Sequence, residues 1–283
     1  MAPGCLPRML PGVDAAVVTG AGRGLGRAIA ERLARRGLAV TCVDLDEEAA
    51  ADAAAELGGE ATAALLDVGD PDGCRAVARE AGARGRLAVW VNNAGTQWAG
   101  PLWEQPDAAV ERLVRTNLIG VVNGCRAAVE QMREDGGPGR ILNVASLAGL
   151  APTPGFALYG ATKHGVVGLA AALNVELREA GLPISVTTVC PDPIDTRMVW
   201  DVVHEPGSAL IFAAPRIMSV DEVADAALAA MDAERPLVSV PRYRGAIARA
   251  LGSFPRATRR VAPAMLRMGE RARRRRERER EPA

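Results

Sequence analysis

Two residues in the stretch Tyr159-Gly160-Ala161-Thr162-Lys163 can carry proton chemistry. Four positions apart on a helix, a tyrosine and a lysine share one face, one turn from each other. A phenol with a pKa of about 10 is a poor base at neutral pH. A neighbouring ammonium favours the phenolate and lowers that pKa, so the pair can move a proton to or from an alcohol oxygen. Lys163 is the only lysine in 283 residues. A chain that otherwise writes arginine needs at position 163 what a guanidinium lacks, a compact charge that can be tuned and can pass a proton. A core tyrosine beside a surface lysine would give the same spacing, so the pair needs support from the elements around it.

That support begins at the amino-terminal end. Asp14 to Thr19 contains the apolar run Ala15-Ala16-Val17-Val18, read as a buried strand. The loop Gly20-Ala21-Gly22-Arg23-Gly24-Leu25-Gly26 follows, then a helical pattern from Gly24 to Arg36 that stops at Gly37. Strand, glycine turn and helix form the context in which backbone amides and a helix N-terminus receive a pyrophosphate. A second strand, Leu38 to Val43, ends at Asp44, placed to accept hydrogen bonds from the adenosine ribose and to repel the extra phosphate of NADP. Asp44 therefore argues for NAD. Arg23, inside the loop, argues for NADP, since it could meet that phosphate. A helix from Asp46 to Leu57, a third strand near Ala61 to Leu66 ending in Asp67-Val68, a helix from Pro71 to Ala83, and a fourth strand from Ala88 to Val91 ending in Asn92-Asn93-Ala94-Gly95 continue the alternation. Strands that end in polar residues or glycine are where a doubly wound sheet gathers its ligand site.

Taken in order, the glycine loop at 19–26, Asp67-Val68, Asn92-Asn93-Ala94-Gly95, Asn117, Ser146, and Tyr159 with Lys163 make the chain resemble the short-chain dehydrogenase/reductase family, in its compact single-domain branch, over about residues 12–240. The resemblance implies an α/β fold: a Rossmann-type doubly wound seven-stranded parallel sheet with helices on both faces. It implies that Asp67 and Val68 meet the adenine, and that Asn93, Ala94 and Gly95 brace the central strand beside the cofactor. Asn117 would interrupt the long helical stretch from Asp107 to Met132 and hold a water that links the lysine to solvent. Ser146, just past the strand Ile141 to Val144, would fix the substrate oxygen; outside the family context it would read as a turn or cap serine. Tyr159 would exchange the proton, and Lys163 would lower its pKa and bind the nicotinamide ribose. His164 faces about 100° away on the helix. After strand six (Pro183 to Val189), Pro191 and Ile194 would contact the cofactor and Thr196 would bind the nicotinamide carboxamide. Asp192 stands where the family usually has glycine and brings a charge close to the nicotinamide. The same resemblance implies pairing of the Asn117 and Tyr159 helices between subunits, as a homodimer or homotetramer.

The reaction expected is interconversion of a secondary alcohol and a ketone with NAD, or with NADP through Arg23. The segment 192–218, with Met198, Trp200 and other apolar side chains, reads as a substrate lid and suggests a hydrophobic small molecule; Trp98 and Trp103 are candidate pocket walls, with 147–156 opposite. A regulator that binds dinucleotide without turnover usually lacks the tyrosine or the lysine, and epimerase or dehydratase relatives usually carry a larger substrate domain.

The chain divides at residue 241. Arg242 to Ala283 holds 14 basic and four acidic residues, a net charge of +10, so the first 241 residues carry −10 within a total of zero. Ser219 and Glu222 form a capping-box pattern, and Leu237 to Val240 reads as strand seven. In the extension, Ile247, Leu251 and Phe254 share one helical stripe and Val261, Met265 and Met268 another, interrupted by Pro255 and Pro263. Such a basic amphipathic stretch, 242–276, can touch an anionic membrane, a neighbouring subunit or the lid. A peripheral scaffold on a membrane is thus a second functional class. No nucleic-acid reading motif accompanies the arginines. Residues from Arg271 onward read as a frayed or solvated helix. Five scattered cysteines argue for a reducing, cytoplasmic compartment. The first 13 residues show no leader pattern, and the arginine and alanine bias is that of a GC-rich bacterial genome.

Overall fold

Short apolar runs bounded by glycine or polar residues become the strands of one sheet. In the computed structural model they are β1 (Ala15–Thr19), β2 (Ala39–Asp44), β3 (Thr62–Leu65), β4 (Leu87–Asn92), β5 (Gly139–Val144), β6 (Ile184–Pro191) and β7 (Leu237–Val240). All pair in parallel, in the order β3-β2-β1-β4-β5-β6-β7. The order reverses between β1 and β4, and the carboxyl ends on either side of that crevice are Thr19 and Asn92. Ligands of open α/β sheets bind at such a switch point. The structure describes residues 13–280. Cys5 and the amino-terminal segment read as lacking a leader lie outside the described residues, as do 281–283.

Strands buried on both faces need helices on both. One layer holds α1 (Gly24–Arg35), α2 (Glu47–Leu57) and α9 (Val220–Asp232), packed on Val18, Val40, Val91 and Leu142. The other holds α3 (Pro71–Arg84), α4 (Asp107–Val114), α5 (Gly120–Asp135) and α6 (Ala157–Glu179), packed on Trp90, Ile141 and Val186. Trp90 is fully buried, and its indole nitrogen donates to Asn92 Oδ1 at 2.7 Å. Caps sharpen the ends: Asp46 accepts from the Ala49 amide and Asp70 from the Asp72 amide. Ser219 accepts from the Glu222 amide, but the Glu222 carboxylate turns to Arg216, so only half of the expected capping box forms. An ion pair with a free guanidinium outcompetes the single backbone amide the box would satisfy.

The helical stretch from Asp107 to Met132 is interrupted at Asn117, as expected. Arg115–Ile119 forms a π-helical turn between α4 and α5, centred on Asn117. Beyond β6, short helices α7 (Arg197–Trp200) and α8 (Ala209–Phe212) make up the segment expected as a lid. Val199, Val203 and Phe212 form its own small core. The extension folds into α10 (Arg242–Ser253), against β7, and α11 (Pro255–Arg280), which lies along α8. One expectation fails here and another holds only in part. Pro263 lies inside α11 and does not interrupt it. The segment expected to be solvated contains Arg273, 5% exposed, which donates to the Val203 carbonyl at 2.7 Å and is clasped by Glu270 and Glu277. Packing against the lid supplies what the proline removes.

Candidate active site

The glycine turn is locked against the end of β4. Gly20 has φ +64°, and a Cβ there would sit 2.9 Å from the Ala94 Cα. Asn93 Nδ2 donates to the carbonyls of Thr19 and Gly20, both at 3.0 Å, while Thr19 Oγ1 accepts from the amides of Asn93 and Ala94. A Cβ on Gly26 would lie 2.1 Å from the Gly20 carbonyl oxygen. That atom is backbone and cannot step aside. Gly26→Ala is therefore expected to cost about 1–3 kcal/mol, read as a lower melting temperature in a thermal unfolding scan.

The N-terminus of α1 receives no side-chain cap, and its first residues, Gly24 and Leu25, line a cavity of about 1180 Å³. Uncapped first-turn amides and the helix dipole favour an anion at that point. At the same end, Asp44 Oδ2 accepts from the Gly22 amide at 3.0 Å and Oδ1 from the Asp46 amide at 3.2 Å. Arg23 is paired with Asp46 at 3.3 Å. Asp67 accepts from the Gly69 amide at 2.8 Å and meets Arg115 at 3.3 Å. Val68 and Gly95 complete this wall. These residues fit a dinucleotide: a carboxylate for ribose hydroxyls, open amides for a pyrophosphate, and apolar walls for a base.

The cavity continues to the reacting end, where β5, β6 and α6 converge. Ser146 follows β5 and accepts the Ala148 amide at 3.1 Å. Tyr159 lies two residues into α6, and its ring meets Phe156 edge-on at 6.2 Å between centroids. Lys163 is 4% exposed. Its Nζ donates to the Val144 carbonyl at 2.9 Å and lies 5.7 Å from the centre of the Tyr159 ring. The Asn117 amide group exchanges two 2.8 Å hydrogen bonds with the Thr96 backbone, and a Cβ on Gly95 would come within 3.4 Å of its Oδ1 and 3.8 Å of Lys163 Nζ. Asn117 is thus brought to the lysine side of the site by the π turn, although it does not line the cavity.

Charge behaves differently from the sequence expectation. Burial pushes the Tyr159 phenol up to about 12, against a hydrogen bond with Ser146 that pulls it down. Burial likewise pushes Lys163 down to about 8, with the buried Cys190 nearby opposing. Both residues are driven toward their neutral forms, and the ammonium is turned to the Val144 carbonyl. The side chains alone therefore do not produce a low-pKa phenol. Cys190 is itself raised to about 12 by burial, so its thiol is no nucleophile.

Pro191, Ile194 and Thr196 line the cavity beside Gly24, as expected for the loop after β6. Asp192 is only 6% exposed, and Arg244 of α10 clasps it at 2.8 Å. The charge expected beside the nicotinamide is thus neutralised within the fold. Of the expected substrate contacts, Met198 lines the cavity. Trp98 and Trp200 do not: Trp98 packs over Gly100, and Trp200 reaches Asp195 and stacks near Phe212 in the lid core. Trp103 is 85% exposed. Ile247, Ala248, Leu251, Val261, Ala262 and Met265 of the extension line the cavity instead. Their helical stripes were visible in the sequence, but nothing in it placed them 80 or more residues from Tyr159 on the opposite side of one pocket. No group of His, Cys, Asp or Glu among the described residues could hold a metal ion.

The family model for short chain dehydrogenases matches residues 14–207. The probable oxidoreductase EphD of Mycobacterium tuberculosis is 36% identical over 248 residues. That match covers 82% of this chain but 41% of the relative, so the chain spans about two fifths of that protein's length. Among solved structures, a short chain dehydrogenase/reductase from Burkholderia phymatum in complex with NAD superposes with a TM-score of 0.78 at 28% identity, covering 86% of this chain and 94% of the other. An actinorhodin polyketide ketoreductase with NADPH superposes with a TM-score of 0.74 at 32% identity, covering 82% and 97%.

Proposed function

This chain belongs to the short-chain dehydrogenase family, and on that premise we propose that it interconverts a secondary alcohol and a ketone on an apolar small molecule with a nicotinamide dinucleotide. The observation that carries this reading is the convergence of Ser146, Tyr159 and Lys163 on one cavity whose other end is Asp44 and the open N-terminus of α1. The dinucleotide, when bound, supplies or accepts a hydride at carbon. The protein handles the proton. In reduction, Tyr159 gives its hydroxyl proton to the carbonyl oxygen, while Ser146 donates a hydrogen bond to the same oxygen and fixes its position. In oxidation both transfers reverse. Lys163 stands behind the tyrosine and offers charge to the phenolate left by the transfer.

NAD is the preferred dinucleotide. Asp44 would face a ribose phosphate with like charge, and Arg23 would have to leave Asp46 to meet it. Asp44→Asn is expected to leave NADH binding within about tenfold while strengthening NADPH binding, so that the ratio of the two dissociation constants narrows. An unchanged ratio would remove Asp44 from the discrimination. The walls support an apolar substrate, since Leu147, Met198, Leu210, Leu251 and Met265 surround the polar triad. NADH-dependent reduction of a panel of cyclic and long-chain ketones, followed through nicotinamide absorbance, tests the reaction class. Turnover confined to small polar ketones would contradict the substrate reading.

Four buried free thiols, at Cys42, Cys74, Cys125 and Cys190, support a reducing, cytoplasmic setting. No helix among the described residues is long and apolar enough to cross a membrane. The outer face of α6 leaves Gly168, Ala171, Ala172 and Val175 exposed, which supports pairing of two copies along that helix.

A further inference from the structure

The extension has three faces. Around α11, at about 100° per residue, Thr258, Ala262 and Met265 turn to the cavity. Next comes a strip of exposed small and apolar residues, Ala257, Val261, Ala264 and Met268. Beyond it stand Arg256, Arg260, Arg267 and Arg271, all exposed. Phe254, at the junction with α10, is 65% exposed, and Met268 is 55% exposed. Ile247 and Val261 are partly bare and also line the cavity, so they form its rim where α10 and α11 diverge.

The arginines of this stretch have no acidic neighbour in the chain. From Arg242 to Gly269 there are seven arginines and no acidic residue. Apart from Arg244, none of them has an ion pair within the described residues. By contrast, Arg273, Arg274 and Arg275 of the same helix are each paired with a glutamate. A stretch of seven arginines without an acidic residue, beside an exposed apolar strip, presents a surface for an anionic, apolar-cored partner. We propose that this face of α10 and α11 docks on an anionic lipid surface. Phenylalanine and methionine would enter the headgroup boundary and the arginines would meet lipid phosphates, as basic amphipathic helices do. The rim at Ile247 and Val261 would then open onto the bilayer. The corollary, that the enzyme draws an apolar substrate from the membrane, rests on the reading of the cavity as the substrate pocket.

Co-sedimentation of the full chain with vesicles tests the docking without any substrate. Binding is expected to vesicles of equal phosphatidylglycerol and phosphatidylcholine, to be negligible on phosphatidylcholine alone, and to fall with added salt. Combined Arg256→Glu, Arg260→Glu and Arg267→Glu should weaken partition at least roughly a hundredfold. The three corresponding lysine substitutions should keep most of it. Phe254→Ser should weaken it roughly tenfold. Melting temperature should stay at the wild-type value in each variant, which separates lost docking from lost folding. Equal binding to both vesicle types, no binding to either, or indifference to the arginine reversals would overturn the proposal. So would tighter retention on duplex DNA than on the anionic vesicles at one salt concentration. Vesicle binding by a protein that binds no dinucleotide would support the docking and contradict the proposed function.

Discussion

Tyr159→Phe is expected to lower kcat by roughly a hundredfold to ten-thousandfold and to leave NADH binding unchanged. Only the hydroxyl is lost; the ring keeps its edge contact with Phe156. In the proposed reaction it is this hydroxyl whose proton passes to or from the substrate oxygen. Burial pushes its pKa up to about 12, which favours the protonated phenol that donates in the reducing direction. Steady-state turnover and a separate dinucleotide titration check both halves. Turnover by the variant at the wild-type rate would place the proton transfer on another group. Reduced NADH binding together with lost turnover would show a merely structural role.

The second large effect concerns stability. Asp192 and Arg244 form an ion pair in which the carboxylate is 6% exposed and the guanidinium 18%. Removing one partner of a buried pair leaves the other charge uncompensated, at a cost of about 3–5 kcal/mol. Arg244→Leu should therefore lower the unfolding free energy by that order, and Asp192→Asn with Arg244→Leu should recover much of it. The pH dependence follows from the direction of the Asp192 shift. Burial raises its folded pKa above the ordinary carboxylate value, with Arg244 drawing it partly back. A folded state that holds the proton more tightly than the unfolded state loses stability as pH rises between the two pKa values. Without Arg244 the folded pKa rises further, so the deficit of Arg244→Leu should be smallest at acid pH and grow toward neutrality. Denaturant unfolding at several pH values reads this. A deficit that instead grew on acidification would contradict the account.

The parts of this molecule that were legible in its sequence are those fixed by local pattern. Strand-glycine-helix order gave β1, the loop at Gly20 to Gly26 and α1 within a residue or two, because each boundary is marked by a cap or by glycine. The spacing of Tyr159 and Lys163 needed only a helix. Asn117 was legible as a helix interruption, although its form, a π turn, was not. Long-range packing hid the rest. Pro263 is a breaker by its missing amide, yet α11 runs through it because Arg273 and Gly269 seat the helix on the lid. Trp98 looked like a pocket wall by proximity to a motif and Trp200 like a lid contact to substrate, but each side chain found a neighbour elsewhere. The burial that acts on the tyrosine was hidden for a related reason. The helical spacing supplies the ammonium, while the burial that outweighs it comes from β5, β6 and the lid.

The most direct measurement is a titration of the full chain with NADH and with NADPH, followed by nicotinamide fluorescence. Saturable binding of NADH, tighter than that of NADPH, is the predicted result. It would support the cradle of Gly20, Asp44 and the open end of α1 as a dinucleotide site. Tighter binding of NADPH would contradict the role given to Asp44. Absence of binding to both would contradict the function itself.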